Sequence, residues 1–184
     1  MDSRPRGPAS RQSGFSLVET ITVLTVSLVI LAAGVPAMRL ISTSNRMSAS
    51  VSTMASHLHL ARSEAIKRGL RAVLCPSRDG RTCLSGSEWR EGYILFADAN
   101  ANRKRDDGEE LLRVHRPKSR AIRILTTNGR KWIRYQPTGE APGSNVTITF
   151  CDPGKKIAPK AIIISNTGRP RFSTTKPNGD PLEC

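Results

Sequence analysis

Ser13-Gly14-Phe15-Ser16-Leu17-Val18-Glu19 joins a basic, proline-containing start to a long apolar run. Glu19 lies five residues into that run. A carboxylate at bilayer depth costs several kcal/mol on insertion scales, so its position asks for a partner. Residues 15–38, FSLVETITVLTVSLVILAAGVPAM, hold one ionisable group in 24 positions. As a helix this segment spans about 36 Å, enough to cross the hydrocarbon core.

Working outward, residues 1–14 carry Arg4, Arg6 and Arg11 and no apolar stretch. A secretory signal places its small-residue junction after the apolar segment. Here the small junction, Gly14–Phe15, comes before it, so cutting there leaves the helix on the mature chain. The basic start favours a cytoplasmic N-terminus and sends residues beyond about 40 across the membrane. Pro36 removes a helix hydrogen bond and predicts a bend or loosening. Beyond it Met47, Val51, Met54, Leu58, Ala61 and Ala65 recur at spacings of four and three. That is one apolar face of a continuing helix, suited to packing on a sheet and ending near Gly69.

From residue 70 the texture changes to short strand-like runs at 71–75, 92–97, 111–115, 121–125, 131–135, 146–151 and 160–165, separated by Gly, Pro and Asn clusters. The fold class is α+β: a long transmembrane-plus-amphipathic helix laid across an antiparallel β-sheet. The expected partition is a leader at 1–14, a membrane helix at 15–38, its amphipathic continuation at 39–69, and a β-rich domain at 70–184.

The chain has 29 Lys+Arg against 15 Asp+Glu, a net charge of +14. Residues 15–40 contribute only Glu19 and Arg39, and the leader only a small excess, so nearly all the surplus lies after residue 40. Such a domain attracts nucleic acid or an anionic membrane surface, unless the charge is merely a solvated face. Cys75, Cys83, Cys151 and Cys184 all follow the apolar segment, which suggests disulfides in an oxidising compartment. Three pairings are possible. Local economy favours Cys75 with Cys83 and Cys151 with Cys184, the second tethering the C-terminal tail. No CxxC is present and only three histidines, His57, His59 and His115, so zinc is a weak idea.

The run from Asp98 to Glu110, DANANRKRDDGEE, tempts a calcium assignment. Asp98, Asn100, Asn102, Asp106 and Glu109 fall at loop positions one, three, five, nine and twelve. Position six is Arg103 rather than Gly, Lys104 and Arg105 bring positive charge, and no strong helix signals flank the run. A hairpin connection explains the composition better. The Arg103-Lys104-Arg105 tip is an auxiliary candidate for phosphate contact, with a neutral surface turn as the default.

Residues 155–176, KKIAPKAIIISNTGRPRFSTTK, contain Lys155, Lys156, Lys160, Arg169, Arg171 and Lys176 and no acid. Pro170 biases the chain toward an extended form. Arg169 and Arg171 then share a face, roughly 6.6 Å apart. Guanidinium forks bind phosphate oxygens bidentately, so the pair is a plausible backbone clamp. Gly168 is read as a spacer that lets a strand approach. Phe172, on the opposite side, is expected to anchor the tail to the core.

Gly14, Phe15, Glu19 and Pro36 together resemble the cleavage and methylation signature of type IV prepilins. The resemblance implies a prepilin peptidase that cuts after Gly14 and methylation of Phe15. It also implies that Glu19 compensates the terminal amine of a neighbouring subunit during assembly. Tyr135-Gln136-Pro137-Thr138-Gly139, residues 146–151, residues 161–165 and Gly168-Arg169 resemble the C-terminal half of FimT/GspH-type minor pilins and pseudopilins. The Gly168-Arg169-Pro170-Arg171 tail is similar to that of FimT-type minor pilins, which bind DNA during natural transformation. This implicates Gly168, Arg169 and Arg171. The family further implies other minor and major pilins as partners, an inner-membrane anchor with a periplasmic C-terminal domain, and exposure on the pilus. The alternative is a structural subunit of a type IV pilus or type II secretion pseudopilus. No GxSxG, Walker A or HExxH pattern occurs, and no cofactor or enzymatic activity is expected.

Overall fold

The computed structural model describes residue 14, residues 16–117 and residues 121–184, with the side chains of Pro36 and Ala37 excepted. Residues 1–13 of the expected leader and Phe15 lie outside the described residues. Helix α1 runs from Leu17 to Arg68. It continues through Pro36, the position at which a bend is expected. The chain divides into two compact units at Arg39/Leu40.

In the first unit the apolar residues from Leu17 to Val35 are exposed. Apart from Glu19, the polar side chains of this stretch are short hydroxyls, and several bond back onto the helix. Thr22 donates to the Glu19 carbonyl at 2.8 Å, Thr25 to Ile21 at 2.9 Å, and Ser27 to Val23 at 2.7 Å. With hydroxyls satisfied in this way, the surface is long and apolar enough to cross a bilayer.

In the second unit α1 buries the stripe expected of it: Met47, Met54, Leu58 and Ala61 at 0% exposure and Val51 and Ala65 nearly so. Gly69, at φ +64°, closes the helix in the left-handed conformation favoured after a last turn. Eight strands follow: β1 Arg71–Pro76, β2 Tyr93–Asp98, β3 Leu111–His115, β4 Arg123–Thr126, β5 Ile133–Tyr135, β6 Val146–Cys151, β7 Lys160–Ile164 and β8 Pro170–Ser173. They form two four-stranded antiparallel sheets, ordered β3-β2-β1-β5 and β4-β6-β7-β8. The sequence predicts one sheet; the chain divides because β4 leaves its neighbours β3 and β5 to pair with β6.

The first sheet is apolar on both faces. Leu74, Tyr93 and Leu95 join the α1 stripe, while Val73, Cys75, Ile94 and Phe96 pack under Trp132. The second sheet alternates: Ile148, Phe150, Ile162 and Ile164 enter the core, and Thr147, Thr149 and Ile163 take the other face. The disulfides are Cys75–Cys83 and Cys151–Cys184, the favoured pairing.

Candidate nucleic-acid interface

The tail read from sequence as merely extended is a fourth strand on the second sheet. β8 pairs with β7 through Pro170↔Ile164, Arg171↔Ile163, Phe172↔Ile162 and Ser173↔Ala161. As an edge strand it tolerates Pro170, whose missing N–H removes a donor only where the ladder ends. β6 pairs Thr147 with Ile163, so Thr147, Ile163 and Arg171 form one cross-strand row on the sheet's outer face.

Arg171 lines a groove of about 920 Å³ on this face. Its floor is Ile163, Thr147 and Thr149, and Asn145 and Asn128 stand at its side. The far wall is the C-terminal tail, folded back over the sheet and held by Cys184 on Cys151. Hydroxyls, amides and a guanidinium around an apolar floor suit an anionic, partly apolar chain. Arg169 is exposed one residue before β8, outside the paired strand, and of the two arginines Arg171 alone lines the groove. Neither guanidinium has an ion-pair or hydrogen-bond partner among the described residues.

The turn that launches β8 is built with care. Gly168 donates to the Ser165 carbonyl at 2.9 Å, and Asn166 is fixed by bonds from the amides of Ala141 (2.8 Å) and Gly143 (3.2 Å). Gly168 is buried, at φ +75°, and a β-carbon there would meet the Gly139 carbonyl oxygen at 2.2 Å. Its glycine therefore serves the docking of this turn onto residues 139–143. It is not a surface that a strand of nucleic acid can approach.

The remaining candidates divide. Lys160 lies on the α1 side of the sheet, its ammonium donating to Ser48 Oγ at 3.1 Å, away from Arg171. Lys176 lines the groove but is neutralised by Glu183 at 2.6 Å. Lys155 and Lys156 are exposed in the β6–β7 loop, whose backbone Asp152 organises through the amides of Gly154 and Lys156. That loop is at the Ser173 end of β8, the end opposite Arg169. In the auxiliary tip, the Arg103 guanidinium sits 4.6 Å over Trp132 and Arg105 donates to the carbonyls of Arg81 and Glu109. Of that trio Lys104 is exposed, with its charge acting on Asp106. The tip belongs to the β2–β3 connection of the other sheet.

Phe172 is corrected outright. It is 68% exposed, beside Ser48, Val51 and Ser52 of α1. Its register puts it on the core side, but β8 lies past the rim of the core, and among the described residues none covers it. The polar row of Thr147 and Thr149 goes unread in the sequence, because its only signal is the alternation of TIT within β6.

Comparison with known proteins bears on this arrangement. The family described as Type II transport protein GspH matches residues 50–168. Pilin-like protein PilA1 of Thermus thermophilus is 28% identical over 166 residues, covering 86% of this chain and 97% of the relative. Two crystal forms of the type IV minor pilin FimU of Pseudomonas aeruginosa share the fold at 17% identity. Their TM-scores are 0.57 and 0.53, covering 72% and 68% of this chain and 92% and 91% of theirs. The family match stops at Gly168, one residue before the arginine pair.

Proposed function

The chain belongs to the family of type II transport protein GspH, with the fold of a type IV minor pilin, and we propose that it binds DNA through Arg169 and Arg171 for uptake in natural transformation. The observation that carries this reading is the placement of the pair at the head of an edge strand, exposed and without anionic partners, beside a groove lined by hydroxyls and amides. Guanidinium–phosphate contacts position a backbone without reading bases, so recognition is independent of sequence. Lys155 and Lys156 act as outlying cations. Lys176 makes a smaller contribution because Glu183 neutralises it, and Lys160 and the 103–105 tip do so because they lie away from Arg171, on the α1 side and on the other sheet. Titration of the full-length chain in detergent micelles with duplex DNA, at varied salt, tests the reading.

An apolar N-terminal helix and pilin-family membership fit a membrane-anchored filament component. We infer that a prepilin peptidase removes residues 1–14 and that Phe15 becomes the methylated N-terminus. Glu19 lies in the first turn of α1, where helix dipoles favour a carboxylate. In a filament it meets the terminal amine of the next subunit, which makes correct registration favourable in lipid. The residues beyond α1's apolar part then lie in the periplasm, and on the pilus surface after assembly.

A second reading is a structural one. Phe172 is exposed beside a shallow recess with Ser48, Val51 and Ser52, and an uncovered aromatic of this kind suits contact with a neighbouring pilin. The two roles are compatible, since a DNA-binding subunit must still be assembled.

A further inference from the structure

Two exposed guanidiniums need only phosphates, so phosphate binding leaves the groove beside Arg171 without a use. That groove, of about 920 Å³, falls in the size range of small-ligand sites. Its floor carries the cross-strand row of Thr147, Ile163 and Arg171, with Thr149 next along β6 on the same face. Asn128 and Asn145 are exposed at its side. Neither amide has a hydrogen-bond partner among the described residues, and neither does the hydroxyl of Thr147 or of Thr149. In the far wall Lys176 and Glu183 cancel each other at 2.6 Å. Arg171 is therefore the one unneutralised side-chain charge among the described lining residues, at the edge of a site made of neutral donors and acceptors over aliphatic carbon.

We propose that this groove takes single-stranded DNA, with a phosphate on Arg171 and an unpaired base lying on Ile163 and hydrogen-bonded by Asn128, Asn145 and the threonines. The inference rests on the DNA-binding reading above and names the form of DNA that the site prefers. Shape decides between strand and duplex. Duplex readers push a helix or ribbon into a DNA groove about 12 Å wide. Here the concavity belongs to the protein, so the DNA has to enter it. A duplex keeps its bases paired behind its phosphates and rests on the rim, against the two arginines. An unpaired base can be splayed out and turned inward. Asparagine amides match base edges with two hydrogen bonds. No aromatic ring is among the described lining residues, so hydrogen bonds and aliphatic contact take the place of the stacking common in strand binders.

Charge alone predicts the opposite order. A duplex has the denser charge, with a salt slope of about −0.9 per neutralised phosphate against about −0.7 for a strand. A preference for the strand therefore reports the groove rather than the guanidiniums.

The test uses the full-length chain in detergent micelles, titrated at equal salt with a short mixed-sequence strand, with the duplex of that sequence, and with a strand of the same length that carries no bases. The intact strand should bind at least about tenfold tighter than the duplex, the low end of what one good pairing to a base edge supplies. The abasic strand should lose this gain. Asn128→Ala/Asn145→Ala should bring the strand and duplex affinities together. Both asparagines are exposed, so the double variant keeps its fold. Phe172→Ala, on the opposite face of the sheet, should keep the parent's ratio of strand to duplex affinity. Equal binding of strand and duplex, or of abasic and intact strands, would overturn the proposal. It would leave phosphate binding by the arginines in place and the groove to an extended polypeptide. Failure of every form to bind would overturn the DNA reading, and this inference with it.

Discussion

Gly168 packs its α-carbon against the carbonyl of Gly139, so closely that a β-carbon at 168 would fall 2.2 Å from that oxygen. The contact docks the β7–β8 turn on residues 139–143 and fixes where Arg169 leaves the sheet. Gly168→Ala adds both this clash and a side chain at φ +75°. It should destabilise the fold by roughly 2–3 kcal/mol, the scale of strained left-handed positions. Urea denaturation followed by circular dichroism measures it. Loss of DNA binding in this variant would follow from misplacement of β8, whereas the arginine variants should leave the midpoint unchanged.

The Cys151–Cys184 disulfide closes a loop of 33 residues, against 8 for Cys75–Cys83. In the chain-entropy picture the longer loop contributes about 3–4 kcal/mol and the shorter one about 2–3 kcal/mol. Cys151→Ser/Cys184→Ser should therefore lower the urea midpoint more than Cys75→Ser/Cys83→Ser. It should also release the tail that walls the groove, seen as faster proteolysis after Lys176 with β7 still protected.

His57 Nδ1 lies 2.8 Å from the Tyr93 hydroxyl, and the His115 ring stacks on Tyr93 at 4.6 Å. Burial lowers the pKa of both histidines, and for His57 the neighbouring His115 and Arg113 lower it further. The unfolded chain thus binds protons more readily than the native one just below the ordinary histidine value of about 6.5. Stability is full above that value and is lost as pH falls from it toward the depressed native pKa. The thermal midpoint should drop through this window, and His115→Phe should flatten the drop. A midpoint independent of pH there would contradict the packing of this cluster.

Phe172→Ala should leave the folding stability within about 0.5 kcal/mol of the parent, as expected for an exposed side chain. A decrease of about 3 kcal/mol, typical of a core phenylalanine, would contradict the exposed placement. Impaired filament assembly with normal stability would favour the structural reading.

These outcomes separate what sequence carries from what it hides. The α1 stripe is legible because its 3.6-residue period persists from Met47 to Ala65, and β3 and β6 because apolar runs there are bounded by Gly, Pro and Asn. The second sheet is not, since the switch of β4 is a long-range choice with no local mark. β8 escapes a sequence reading because four residues, Pro-Arg-Phe-Ser, show no strand pattern of their own and gain pairing only from the Ile run of β7. The exposure of Arg169 and Arg171 fits their acid-free stretch of sequence, whereas the strand pairing covers Arg171 and not Arg169. The engagement of Lys160, Lys176 and Arg105 depends on Ser48, Glu183 and Arg81, partners 112, 7 and 24 residues away. Phe172 misleads because its register does face the core, while its strand lies beyond the core's edge.

Two exposed guanidiniums at the head of β8, on the reading proposed above, hold DNA by its phosphates. The most direct measurement is the salt dependence of duplex DNA binding by the full-length chain and by Arg169→Ala/Arg171→Ala. The variant should bind more weakly, and its slope of log K against log salt should be shallower by about 0.9 for each phosphate that the two arginines neutralise in the parent. Equal affinity and equal slope in the two proteins would contradict the claim.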